Sequence, residues 1–237
     1  MTTHTATARS HPNIALIKYW GKRDVQLNLP AVPSVSLTLN RFHTTTTVTW
    51  GHPTDEFQLN GNSCSIKEAK KVFDFLDLVH SERPPCLVVS DNNFPTAAGL
   101  ASSASAFSAL AMAACEAAQI RYTPQSLSVL ARQGSGSASR SLWGGWVEWQ
   151  MGTRLDGLDS HGIPIANQDH WDLSMVIAVV SEQKKSISSR AGMLDTARTS
   201  PMYKAWCETG LHDVQIAREA ILTRDIEQLG QQMEIST

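Results

Sequence analysis

A chain of 237 residues, 42% hydrophobic and 18% charged, holds enough apolar material for one large core, or one core and part of a second. Its 20 Lys and Arg against 22 Asp and Glu leave a formal charge of −2, which argues against a polybasic nucleic-acid binder. Nothing in the composition matches disorder, collagen or a disulfide scaffold. Cys64, Cys86, Cys115 and Cys207 form no C-x-x-C pair, and His11, His43, His52, His161 and His170 show no paired spacing. The thiols therefore read as small buried hydrophobes in a reducing compartment, and no dedicated metal site is read.

The opening residues carry neither a basic nor an apolar stretch, so no secretory signal is read. Lys18, Tyr19 and Lys22 sit on or just after a strand-like run. Period-two alternation would place Lys18 and Trp20 on one side of it, Tyr19 and Gly21 on the other. The β-branched stretch Thr44 to Trp50 predicts a strand, and Phe57 to Leu59 running into Asn60-Gly61 predicts a tight hairpin. Ile66, Ala69, Val72, Phe73, Leu76 and Val79 recur at helical spacing, with lysines on the opposite face. Cys86 to Ser90 reads as a buried strand. The alanine-rich residues 102–118 read as a buried helix, too interrupted by serines upstream to reach the roughly 20 apolar residues of a membrane span.

Thr123-Pro124 is an N-cap followed by proline at the first helical position, and that helix is expected to end near Gly134. Trp146 to Met151 alternates as a strand, with Trp143 and Trp149 read as packing. Leu173 to Val180 reads as a strand buried on both faces. From residue 192 the pattern turns helical. Val214, Ala217 and Ile221 mark one apolar face, and Leu229 and Met233 begin another. The last periodic segment has no glycine cap or proline stop, so the expectation is a chain cut off inside a second domain.

The segment from Asp91 to Ala104 carries the most chemistry. A strand feeds a loop of small residues that opens into a helix, the arrangement in which backbone N–H groups and a helix N-terminus cradle phosphate. Ser102 and Ser103 add hydroxyls for phosphate or for a nucleotide-bound Mg²⁺. No lysine follows the glycine, so this is not the G-x-x-x-x-G-K-[ST] loop, and composition alone is equally met by an ordinary capped helix. Further along, Gly134 to Ser141 is rich in small donors, is entropically costly, and makes little sense as packing. Arg140 at its end offers a guanidinium fork for a carboxylate, or is a surface arginine on a short helix.

The ordered pattern P-x-x-x-G-L-x-S-S-A at 95–104 resembles the ATP loop of the galactokinase, homoserine kinase, mevalonate kinase and phosphomevalonate kinase superfamily. Three more segments, 13–24, 134–141 and 184–193, narrow the resemblance to the diphosphomevalonate decarboxylase family over residues 5–235. The resemblance implies an α+β, two-domain fold of the GHMP-kinase type. An N-terminal unit would span 1–180, and 181–237 would begin an incomplete C-terminal unit. It also implies ATP and Mg²⁺ as cofactors, mevalonate diphosphate as substrate, a cytoplasmic homodimer, and neither nucleic acid nor membrane as partner. The implied reaction phosphorylates the C3 hydroxyl and then expels phosphate and CO₂ to give isopentenyl diphosphate. Phosphoryl transfer of this kind depends on positioning and charge neutralisation.

By resemblance, Lys18 and Arg140 are the catalytic candidates, Arg140 as the carboxylate clamp and Lys18 near the reacting oxygen. Tyr19, Trp20, Gly21, Lys22, Ser135, Gly136, Ser137, Ser139, Ser189 and Arg190 are substrate contacts, with Trp20 equally readable as a core aromatic. Ser90, Asn92, Pro95, Ala98, Gly99, Leu100, Ala101, Ser102, Ser103 and Lys185 fall to the nucleotide. Lys185 is equally readable as a solvated edge, and Ser102 is the possible Mg²⁺ contact. The family's Asp-Ala-Gly-Pro-Asn stretch, whose aspartate stands by the reacting hydroxyl, is absent from these residues, and Asp156 and Asp159 sit in a surface turn. Three alternatives therefore stand beside the decarboxylase: a phosphomevalonate decarboxylase, a 3-kinase of mevalonate or phosphomevalonate, and a ligand-binding fragment without turnover.

Overall fold

The computed structural model describes residues 4–95, 102–178 and 189–236. Two antiparallel-rich sheets, each backed by helices, make up the α+β architecture among these residues. The first sheet is built from β1 (His4–Ser10), β6 (Thr44–Trp50), β7 (Glu56–Leu59), β8 (Asn62–Ser63) and β9 (Cys86–Asn92), in the order β1-β6-β9-β7-β8. The second holds β2 (Asn13–Ile17), β5 (Ser34–Thr38), β10 (Trp146–Trp149) and β11 (Gly162–Ala166), in the order β11-β10-β5-β2. A two-stranded ribbon, β3 (Lys22–Asp24) with β4 (Leu29–Pro30), lies between β2 and β5 in the chain.

Local chemistry accounts for most of these elements. The threonines of β6 alternate between buried and half-buried, and on the open face Thr7 and Thr47 pair their hydroxyls across strands at 2.8 Å. Asn60 and Gly61 both take positive φ, the two-residue turn expected of that dipeptide. Helix α1 (Ile66–Val79) starts on a reciprocal Ser65–Glu68 capping box, and α3 (Pro124–Gly134) on Thr123 with Ser126 and a proline at its first turn. Helix α2 (Ser102–Ala117) is buried on most of its circumference, because alanines and serines let α3 and the first sheet approach it from several sides. Phe75, Leu76, Val88, Phe107 and Leu110 form the core between that sheet and α1–α3.

Beyond α4 (Ser189–Thr199), helices α5 (Tyr203–Thr223) and α6 (Ile226–Ile235) cover one face of the second sheet. Val214, Ala217, Ile221 and Leu229 pack there against Leu16, Val35 and Trp146. The expected apolar stripe is thus the buried one.

Three expectations are corrected. Residues 173–178 belong to no assigned strand and are not buried on both faces. Leu173, Met175 and Ile177 turn toward the cores, while Val176 is 92% exposed. An unbroken apolar run does not reveal which of its faces has a cover. Residues 179–180 lie outside the described residues. Strand β2 ends at Ile17, so the alternation assumed for residues 18–21 has no strand to carry it. Of the four thiols, Cys86 and Cys115 are buried, but Cys64 and Cys207 are only half-buried.

Candidate active site

A cavity of about 400 Å³ opens where β2, the loop after it, the start of α2 and the end of α3 meet. Its chemistry centres on Arg140, the last residue of a short 3₁₀ helix, Gly136–Arg140. The guanidinium is 1% exposed yet lines the cavity. Its Nε donates to Ser36 Oγ at 2.9 Å, Nη1 donates to Ser34 Oγ at 2.5 Å, and Nη2 donates to Asn13 Oδ1 at 3.1 Å. Tyr19 and Trp149 flank it, with ring centroids 5.9 and 5.8 Å from Cζ. No carboxylate among the described residues pairs with it, and burial pulls its acid dissociation down to about 10. A guanidinium has five N–H groups, and these bonds occupy only three. A buried cation held by neutral oxygens, with donors to spare beside a cavity, is arranged for an anion that arrives from outside.

The neighbouring strands explain how Arg140 is held. On β5, Ser34 and Ser36 face the arginine while Val35 and Leu37 face α5 and α6, the period of two expected for a strand. Asn13, 1% exposed on β2, accepts from Arg140 and donates to the Ser137 carbonyl at 2.9 Å and to Ser141 Oγ at 2.7 Å. One side chain thereby fixes both the clamp and the glycine–serine run. None of Asn13, Ser34 and Ser36 was a sequence candidate. The two serines carried a faint signal: polar residues two apart on a strand whose alternate positions are apolar.

The other expected substrate residues are partly assembled. Lys18, Tyr19, Trp20 and Lys22 all line the cavity, so the expected division of this run between two faces does not hold. Lys18 Nζ donates to the Ala15 carbonyl at 2.7 Å. Its acid dissociation lies below the ordinary lysine range, first through burial and then through the Arg140 charge. Gly136 fits because its backbone lies against aromatic edges: a Cβ there would stand 2.7 Å from Trp149 and 2.9 Å from the Tyr19 hydroxyl. Ser135 donates to Ser103 Oγ at 3.1 Å and lies 3.3 Å from Ser137 Oγ, so the serine run meets the first turn of α2 in one hydroxyl cluster. Ser189, at the start of α4, lines the same cavity.

Other candidates are placed elsewhere. The Ser139 hydroxyl is fully buried and donates to the Gly136 carbonyl at 2.7 Å, which closes the 3₁₀ turn instead of facing the cavity. Ser90 is 4% exposed and hydrogen-bonded to Thr46 within the first sheet. Asn92 accepts from Thr44 Oγ1 at 2.6 Å, and neither residue lines the cavity. Both lie on a strand whose side chains are claimed by β6. Gly21 shapes the loop through its backbone and does not line the cavity, and Ser102 likewise stands off it. Pro95 is exposed. Ala98, Gly99, Leu100, Ala101 and Lys185 lie outside the described residues, as does the Arg190 side chain. Asn28 and Lys71, which were not candidates, line the cavity as well.

Among the described residues no cluster of three or more His, Cys, Asp or Glu stands ready to bind a metal. The donors nearest α2 are serine hydroxyls. They suit a Mg²⁺ that keeps most of its shell in water and phosphate oxygen and takes little from protein.

Comparison with known proteins bears on this arrangement. A family model for the diphosphomevalonate decarboxylase-like N-terminal domain matches residues 10–162. A model for the mevalonate 5-diphosphate decarboxylase C-terminal domain matches residues 175–235. The chain is 43% identical over 223 residues to the diphosphomevalonate decarboxylase of Aspergillus fumigatus, covering 85% of this chain and 55% of that one. It superposes with a TM-score of 0.90 and 38% identity on the crystal structure of mevalonate diphosphate decarboxylase from Staphylococcus aureus, covering 99% of this chain and 72% of that one. A second solved structure, described as MDDEF in complex with MVAPP, AMPPCP and magnesium, gives a TM-score of 0.89 at 39% identity, over 99% of this chain and 73% of that one. The chain spans little more than half the length of the first curated relatives it matches.

Proposed function

The chain belongs to the diphosphomevalonate decarboxylase family, and on that premise we propose that it acts in the ATP-dependent decarboxylation of mevalonate 5-diphosphate to isopentenyl diphosphate, with ADP, phosphate and CO₂ as the other products. One observation carries the reading: Arg140 is a buried guanidinium without a carboxylate partner among the described residues, and it faces a cavity also lined by Lys18, Tyr19 and Lys22. In this reading Arg140 takes the substrate carboxylate on its spare N–H groups, a bidentate match that lysine cannot offer. Tyr19, Lys22, Ser189 and Arg190 take the diphosphate. Ser103 and Ser135 stand on the nucleotide side, Ser103 following in sequence the segment 96–101 that the sequence pattern assigns to ATP.

Mg²⁺ carried by the nucleotide would supply charge neutralisation at the phosphates, and the hydroxyl cluster fits such an ion. The protein's own contribution is orientation. Asn13, Ser34 and Ser36 fix the plane of the Arg140 guanidinium, and with it the direction in which the carboxylate bond points relative to C3. Lys18, half-buried, adds positive charge close to the reacting oxygen.

The reading includes a division near residue 180 into an N-terminal unit and a C-terminal unit. That two separate family models match, over 10–162 and 175–235, supports a division into two units, with the gap between them at 163–174. It also includes a cytoplasmic homodimer. In support, no helix among the described residues is long and apolar enough to cross a membrane, and the dimer follows from the family resemblance. Sedimentation of the purified chain tests the dimer.

The decisive experiment incubates the 237-residue chain with MgATP and, separately, mevalonate, its 5-phosphate and its 5-diphosphate, and measures ADP and trapped CO₂. CO₂ from the diphosphate alone is the expected result. CO₂ from the monophosphate but not the diphosphate overturns it. Calorimetric binding of the diphosphate without ADP formation reduces the function of these residues to binding.

A further inference from the structure

The loop joining β2 to β3, residues 18–21, brings Lys18, Tyr19 and Trp20 to the Arg140 cavity and delivers Lys22 at its end. Behind it lies a second cavity of about 380 Å³, which shares Lys18 and Trp20 with the first and is otherwise walled by α4–α6, chiefly Met202, Tyr203 and Trp206. The loop is therefore a wall with space on both sides. Packing alone holds such a wall poorly, so its backbone hydrogen bonds have to fix it.

Two of those bonds come from the helical layer. The Lys18 N–H donates to Ser236 Oγ at 2.9 Å, and the Tyr203 hydroxyl donates to the Trp20 carbonyl at 3.2 Å. Gly21 then takes φ +87° and rests on the same tyrosine, so closely that a Cβ would fall 1.7 Å from the phenolic oxygen. Tyr203 is itself aimed by stacking on Trp206, with ring centroids 6.3 Å apart and planes 23° apart. Burial, with help from Cys207, pushes its acid dissociation up to about 12, so the hydroxyl keeps its proton throughout the neutral range.

We propose that Tyr203 is a positioning residue for the substrate-gripping loop: its hydroxyl, bonded to the Trp20 carbonyl and pressed against Gly21, sets where Lys18, Tyr19 and Lys22 stand around the cavity. The assignment of that loop to mevalonate 5-diphosphate rests on the function proposed above; the tether itself does not.

Tyr203→Phe removes the hydroxyl and keeps the ring. Hydrogen–deuterium exchange of the full chain should speed up in a peptide covering residues 18–24, by about threefold to tenfold for one lost hydrogen bond, with exchange in β6 and α2 unchanged. Calorimetry with mevalonate 5-diphosphate should show a Kd weakened by a similar factor, and Ser236→Ala should loosen the same peptide from its other end. Unaltered exchange at 18–24 in Tyr203→Phe overturns the inference, as does a loss of protection spread evenly over the molecule. If the unmodified chain does not bind the diphosphate, the functional reading falls, and the exchange result still decides for or against the tether.

Discussion

Two arginines with shielded side chains show how the same group serves two ends. Arg83, with its side chain 8% exposed, is gripped by carboxylates: Nη1 lies 2.7 Å from Asp55 and Nε 2.8 Å from Asp77, and Trp50 and Phe73 lie beside its guanidinium. Its charge is spent inside the fold, where it ties the residues before β9 to the Asp55 turn and to α1. Arg140 is more deeply buried and has only Asn13, Ser34 and Ser36 as partners. Neutral oxygens satisfy its geometry and leave its charge uncompensated. Burial alone does not distinguish a structural cation from a functional one, and neither does a missing counter-charge by itself: Arg132 is as buried as Arg140 and donates only to the Leu27, Gly157 and Ser160 carbonyls, but Arg140 alone of the two lines the cavity.

The sharpest way to break this comparison is Arg140→Gln. Substrate affinity should fall by about 10²- to 10³-fold, the loss typical of removing one partner of a desolvated charge pair, while near-ultraviolet circular dichroism stays native. A variant that still binds within threefold of the unmodified chain would remove Arg140 from the site. Gly136→Ala should come next. The new methyl group meets Trp149 and Tyr19 at under 3 Å, so binding should weaken by about tenfold or more and stability should drop by about 1–3 kcal/mol. A Gly136→Ala chain with unchanged calorimetric affinity would show that the cavity wall yields.

Arg83→Met should do the reverse of Arg140→Gln, lowering stability and sparing the ligand. Asp55 is 35% exposed and Asp77 58% exposed, so the cost should be about 2 kcal/mol, less than the 3–5 kcal/mol of a fully buried broken pair. Urea unfolding beside calorimetry separates the two effects. The smallest effect concerns pH. Burial pushes the Cys86 thiol, next to Arg83, up to about 12, and the Cys115 thiol up to about 11. Each is protonated in the fold at pH values where the unfolded chain has lost the proton. Their stabilising contribution is complete below about pH 9 and is lost as pH rises through 11 to 12. Melting temperature should therefore fall above pH 9, and Cys86→Ala should flatten that slope.

Most of the fold was legible because its signals are local. The Ser65 and Thr123 caps, the Asn60-Gly61 turn and the stripe of Val214, Ala217 and Ile221 each depend on residues within a few positions of one another. The candidate site was legible in part. Arg140 and Gly136 stand in a run whose composition serves packing badly, Lys18 and Tyr19 were picked out by the family resemblance, and all four line one cavity. Ser139 shares the Arg140 run, and Ser90 and Asn92 stand on β9 before the phosphate loop, but all three turn to other partners, because a run does not say which of its side chains faces the cavity.

Local sequence signals were enough for the capped helices, the Asn60-Gly61 turn and the family to which the motifs point. These follow from hydrogen bonds and side-chain periodicities that span a few residues. Only the tertiary structure decided that Asn13, Ser34 and Ser36, separated from Arg140 by 104 to 127 positions, would hold it, and that Tyr203 would brace a loop 183 positions away. The spacing of such residues along the chain, even where it is periodic as for Ser34 and Ser36, does not name their distant partner, because chain folding, not local spacing, brings the partners into reach.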